Sequence, residues 1–317
     1  MGIPGCQVSG NHKMRLTTRI KNTVAFLLLV SAWIGRSAHA DIIYVAEATR
    51  ISSISPTGEV SSFVTNDLAH PIGRPTALGI DSHGNFFTTN GVNQLIKITP
   101  GGVSSVFFNS NLSLPPNQNV PESLAIDRHD NIYVANAVGG FGGCDIVKFA
   151  PDGSRSLFAS GFKRAEGVAV DSNGTVYVSD VWDNSVSKIT PSGVSTILAT
   201  GLNEPAGLTV ATNGDVYVAN YGANSIIKIS GGVQSIYTTV SSPSNLVFDS
   251  VGNLYVDSAV FNGTVKRITP DGIVSVFASG LNQPAGIVAQ VPEPSSLIVL
   301  GLGILTMIVG RRCGPKQ

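Results

Sequence analysis

Apolar and polar residues alternate along short segments through most of this 317-residue chain, with turn residues between them. Val216-Tyr217-Val218 and Ile226-Ile227-Lys228-Ile229 are typical. A period near two predicts half-buried β-strands and excludes long amphipathic helices. The segments come in fours: one group reads GLTVA, DVYVAN, SIIKIS and VQSIYTT, here strands a, b, c and d. The group returns with starts at Pro75, Pro121, Ala165, Pro205, Pro243 and Pro284, spaced 46, 44, 40, 38 and 41 residues apart. Four short strands per repeat at this period predict a β-propeller. The a–b turns carry Gly84, Gly174, Gly214 and Gly252, with Asp130 in their place in the second repeat. Glycine accepts the positive φ of a tight hairpin without strain, and aspartate tolerates it better than most residues. The c–d turns read TPGG, APDG, TPSG and TPDG; proline sets φ there and glycine closes the turn.

The two ends of the repeat region are complementary. Residues 42–65 supply strands b, c and d without a, and residues 284–290 supply strand a alone. Five whole blades and one shared blade predict an all-β, six-bladed β-propeller closed by strands from both termini. Tyr44 and Val45 are then expected to pair with the strand holding Ile287 and Val288. Closure of this kind removes free sheet edges, which otherwise invite aggregation.

The repeats, cleanest in PAGLTVATNGDVYVAN from Pro205, resemble the NHL family of six-bladed propellers over about residues 41–290. The resemblance implies the fold. NHL-type propellers serve as protein or RNA binding platforms and as sensor domains, and neighbouring families act as lactonases and lyases. Fold alone does not choose among these.

The flanking segments predict an exported precursor. Residues 1–40 read as a signal peptide, with Met14 as an alternative start. Arg15, Arg19 and Lys21 precede an apolar stretch at 24–34, and Ala38-His39-Ala40 suits cleavage before Asp41. Residues 291–317 resemble the PEP-CTERM sorting signal: Pro292, Glu293 and Pro294, then an apolar run at 295–310, then Arg311 and Arg312. As a helix that run of 16 residues spans about 24 Å, slightly less than a hydrocarbon core of about 30 Å. The arginine pair would hold the end in the cytoplasm. The resemblance implies recognition by an exosortase and the secretion machinery of a Gram-negative bacterium that often makes exopolysaccharide. It also implies a membrane-anchored precursor and a final place at the cell surface or outside the cell. An ordinary single-pass anchor is the alternative.

Removing the flanks changes the charge. The whole chain is neutral, but residues 41–292 hold 12 basic and 19 acidic residues, a net charge of −7. Phosphate neutralisation needs the opposite sign, so nucleic acid is excluded as a partner. Cys144 is the single cysteine of that body, which leaves no intramolecular disulfide.

Propeller topology places the b–c and d–a loops on one face, here the top, and the a–b and c–d turns on the other. The irregular segments 66–74, 109–120 and 137–143 fall on top, where variable loops on a rigid scaffold carry function. Two top-face groups stand out. The polar group is Glu122, Asn136, Glu166 and Asp180. Oxygen donors of this type suit Ca²⁺ or Mg²⁺, and resemblance to gluconolactonase-like propellers implies such a metal near the channel. Asn90, Asn136, Asp180 and Asn220 end strand b in four blades, however, and a repeated residue also answers a repeated structural need. The aromatic group is Phe141, Trp182, Tyr221 and Phe261, in the b–c loops of four consecutive blades. Aromatic faces stack on sugar rings or apolar side chains, and packing between blades is the alternative. Tyr44, Tyr133, Tyr177, Tyr217 and Tyr255 hold one repeated place in strand b and read as core. No Ser–His–Asp arrangement and no zinc spacing is evident, and His83 and His129 fall in bottom turns. Virginiamycin-lyase-like propellers need a histidine near the top centre, which this sequence does not offer. The expected function is a non-enzymatic binding module for a polysaccharide or protein; the alternative is a metal-dependent lactonase.

Overall fold

The structure is a computed structural model that describes residues 41–66, 72–91, 94–109, 119–138 and 143–290. Among these, six four-stranded antiparallel sheets form, five of them with strands a to d in chain order. The sixth joins strand a at Gly286–Gln290 to strands b, c and d at Ile42–Glu47, Arg50–Ile54 and Val60–Thr65. Tyr44 opposes Val288 and Val45 opposes Ile287, as the two half-repeats predict.

The apolar pattern explains how the blades stack. Strand b is buried along its whole length in blades three, four and five, because both of its faces meet neighbouring sheets. Strand d is largely exposed at the rim, as in Ser195–Thr200. Six apolar clusters fill the six blade interfaces, one each. Tyr44 and Ile51 of the shared blade pack against Phe86 and Ile96 of blade one. On its other side Ile43 and Val45 pack against Tyr255 and Val265 of blade five. The blade built from both termini is therefore covered on both faces. The five strand-b tyrosines are buried, as expected. The Tyr133 and Tyr177 hydroxyls donate to Asp127 and Asp171 of their own a–b turns, at 3.2 and 3.3 Å. Burial first, and these carboxylates next, push both phenols up to about 12.

The turns bear out their sequence. Gly84, Gly174, Gly214 and Gly252 have φ of 75° to 90°, and Asp130 has φ 61°. Asp130 also ties two blades together: its carboxylate accepts the Ser82 N–H and hydroxyl, each at 2.8 Å. Asp41 stands at the matching place of the shared blade and does the same for Ser250. The first residue of the propeller thus helps to latch the closure.

Strand a lines the axis, and six strands converge there. Small residues meet this demand. A Cβ on Gly207 would lie 2.6 Å from the Ser244 carbonyl oxygen and 2.8 Å from Asn245 Cα. The remaining axial space is about 50 Å³, lined by strand a of every blade, including Leu78, Leu124, Val168, Leu208, Leu246 and Ile287.

The expected signal peptide, the tail with Pro292, Glu293, Pro294, Arg311 and Arg312, and Phe141 lie outside the described residues. Among the described residues no helix is long and apolar enough to cross a membrane.

Candidate functional site

The recurring residue at the end of strand b has a structural task. The Asp180 carboxylate accepts the N–H groups of Lys163, Arg164, Trp182 and Asp183, at 2.7, 3.2, 3.1 and 3.1 Å. Asn220 Oδ1 accepts the Asn203 N–H at 2.7 Å. Glu47 holds the same position in the shared blade and accepts the Asn282 N–H at 2.6 Å. Lys163, Asn203 and Asn282 occupy one repeated place in the d–a loop. The side chain therefore anchors that loop to strand b and satisfies backbone donors that water would otherwise serve. Asn90 works on the other loop, with Oδ1 accepting the Gln94 N–H at 3.1 Å. Glu47 was legible in the sequence, since IIYVAE aligns with the IYVAN of blade two.

Glu122 and Glu166 are brought together, with Arg164 between them. Arg164 Nε lies 3.2 Å from Glu166 Oε2, and its terminal nitrogen lies 4.0 Å from Glu122 Oε1. Burial raises the Glu122 carboxyl above its usual range; Glu166 adds to this and Arg164 opposes it. Burial also raises Glu166, again opposed by Arg164. The four residues expected to hold Ca²⁺ or Mg²⁺ have these partners in the structure. A guanidinium already supplies the positive charge between the two glutamates, Asp180 is committed to four backbone donors, and Asn136 is fully buried in its strand. Among the described residues no three His, Cys, Asp or Glu side chains form a group that would hold a metal. Arg164 went unnoticed because it lies just before strand a, one place outside the repeat pattern.

A cleft of about 680 Å³ opens on the top face beside this cluster. Blades four and five carry Ala206 and Ser244 where blades two and three carry Glu122 and Glu166, and this leaves the floor open. Arg164 and Glu166 form one end. Trp182 and Tyr221 line the side, 47% and 42% exposed. Asn184, Asn203 and Glu204 complete the polar lining. Glu204 has φ +50°, a strained conformation for a residue with a Cβ. It is held there by its N–H on Asn184 Oδ1 at 2.9 Å and by its carbonyl, which accepts the Tyr221 N–H at 3.2 Å. These bonds fix the polar rim against the aromatic wall. Of the expected aromatic arc, Trp182 and Tyr221 share the cleft, whereas Phe261 is 74% exposed and stands outside its lining.

Two family patterns match the chain: NHL repeats at 162–189 and 202–229, and the PEP-CTERM protein-sorting motif at 290–312. The sorting motif implies export and sorting in Gram-negative bacteria. No curated protein matches the chain. Several solved structures share the fold. A protein of unknown function from Bacteroides caccae is 17% identical, with a TM-score of 0.60 over 80% of this chain and 100% of that one. A streptogramin B lyase is 19% identical, with a TM-score of 0.59 over 79% and 84%. A gluconolactonase from Xanthomonas campestris is 14% identical, with a TM-score of 0.55 over 66% and 75%. Identities this low speak for the fold alone.

Proposed function

For this chain of NHL repeats with a PEP-CTERM sorting motif, we propose an exported recognition module that binds a polysaccharide in its top cleft. The carrying observation is the pairing of two half-exposed aromatic rings, Trp182 and Tyr221, with a floor of small side chains and a fixed polar rim. Aromatic faces stack on the apolar faces of pyranose rings, and planar carboxylate, amide and guanidinium groups bond their hydroxyls. The Arg164 guanidinium between Glu122 and Glu166 and the committed Asp180 favour binding over metal-dependent lactone hydrolysis. The tail directs the precursor to the membrane, where an exosortase and the secretion machinery process it, and the propeller ends at the cell surface or in the extracellular matrix.

Affinity electrophoresis through gels containing soluble polysaccharides tests this. Trp182→Ala and Tyr221→Ala are each expected to weaken retardation by roughly threefold to tenfold, with the melting temperature unchanged. Retardation by no polysaccharide, or indifference to both changes, overturns the reading. Capture of a protein through the same two residues overturns it in favour of a protein ligand.

A further inference from the structure

We infer that Glu122 and Glu166 act as a charge filter that makes the top cleft select uncharged saccharides and reject uronate-bearing ones. This rests on the saccharide reading of the cleft. Among the described residues, Arg164 is the sole basic residue in the cleft lining. A lone arginine beside two aromatic rings would ordinarily recruit a sugar carboxylate through a bidentate pair. Here Glu166 Oε2 forms an ion pair with its Nε at 3.2 Å, and Glu122 Oε1 approaches one of its two terminal nitrogens at 4.0 Å. The neighbouring Lys163 is likewise held, in an ion pair with Asp183. Glu204 adds a further carboxylate at the rim. An incoming carboxylate therefore meets two or three negative charges, and its one cation is already neutralised. Hydroxyl groups meet no such penalty, because carboxylate oxygens accept from them and the guanidinium donates to them. The arrangement selects by repulsion as much as by attraction. The glutamates occupy the second position of strand a, where Thr76, Ala206, Ser244 and Ala285 stand in the other blades. The repeat itself therefore does not require them, which points to a role specific to this corner of the face.

The test compares a neutral soluble glucan, laminarin, with polygalacturonate, using the full exported protein and isothermal titration. Wild type is expected to bind the glucan and not the polyuronate. Glu166→Gln keeps the size but removes the charge that neutralises Arg164, and should shift the preference toward polygalacturonate by about tenfold or more at low salt. Glu122→Gln should shift it less, since its contact is longer. Arg164→Gln in the Glu166→Gln background should cancel the gain, which separates a charge effect from loosened packing. An unchanged preference in Glu166→Gln, with Trp182→Ala still weakening glucan binding, overturns the filter and leaves the saccharide reading standing. Glucan binding that ignores Trp182 and Tyr221 overturns the saccharide reading instead.

Discussion

At the scale of single residues, the most constrained group is Asp257. It is fully buried, one place before the end of strand b, where other blades carry Ala46, Thr89, Ala135, Ser179 and Ala219. Its carboxylate accepts the Asn245 N–H at 2.7 Å, with the Asn245 amide near both oxygens. Burial dominates these bonds and pushes its pKa up to about 7. The folded protein then keeps a proton there, between pH about 4 and about 7, that the unfolded chain has released. Stability from this group is accordingly present at low pH, declines across that window and is flat above it. Each unit of displacement corresponds to about 1.4 kcal/mol. Asp257→Asn keeps the acceptor and removes the charge. Its melting temperature should exceed that of wild type at pH 8, and the gap should close as pH falls toward 4. Parallel curves for the two proteins would refute this account.

At the scale of elements, strand a and strand b form a unit whose parts substitute for one another. The third residue of strand a is Gly167, Gly207 or Gly286 where the neighbouring backbone comes closest, and Asn245 in blade five. Asn245 fits because Asp257 holds it and because Gly207 opposite has no side chain; its Oδ1 lies 2.9 Å from where a Gly207 Cβ would be. Recurring edge-to-face pairs brace strand b against strand d, such as Tyr133–Phe158 at 4.9 Å and Tyr255–Phe277 at 4.8 Å between ring centres. Gly207→Ala should force two inner strands apart against backbone atoms that cannot rotate away. Overpacking of this kind costs about 1–3 kcal/mol, readable as a lower midpoint in chemical denaturation. A midpoint equal to wild type would show that the inner ring breathes more than its packing implies.

At the scale of the whole molecule, both ends of the propeller leave from one face. Ile42 opposes Gln290, and Asp41 is bonded to Ser250 in an a–b turn. The sorting motif begins at once, matching from residue 290. The cleft lies on the opposite face. The protein recovered from the native cell surface should begin at Asp41 and end near Pro292–Pro294. Intact mass reads both ends in one measurement. Retention of Arg311 and Arg312 would identify a permanent anchor instead.

The sequence determined the scaffold. Alternation at period two, the spacing of six repeat starts, glycine at positive φ and the complementary half-repeats each follow from local backbone geometry, and local geometry is written locally. The ring closure between Tyr44 and Val288 could be read from residues almost 250 positions apart because each half-repeat lacked what the other supplied. The cleft was only half legible. Trp182 and Tyr221 announced themselves as aromatic residues in top loops, but so did Phe261, which stands outside. The Glu122–Arg164–Glu166 cluster, the commitment of Asp180 to its loop and the burial of Asp257 were decided by tertiary structure alone. Their physical cause is the approach of groups separated in sequence, some within one blade and some, as Glu122 and Arg164, from neighbouring repeats, in a region of low solvent access where charge and desolvation depend on spatial neighbours.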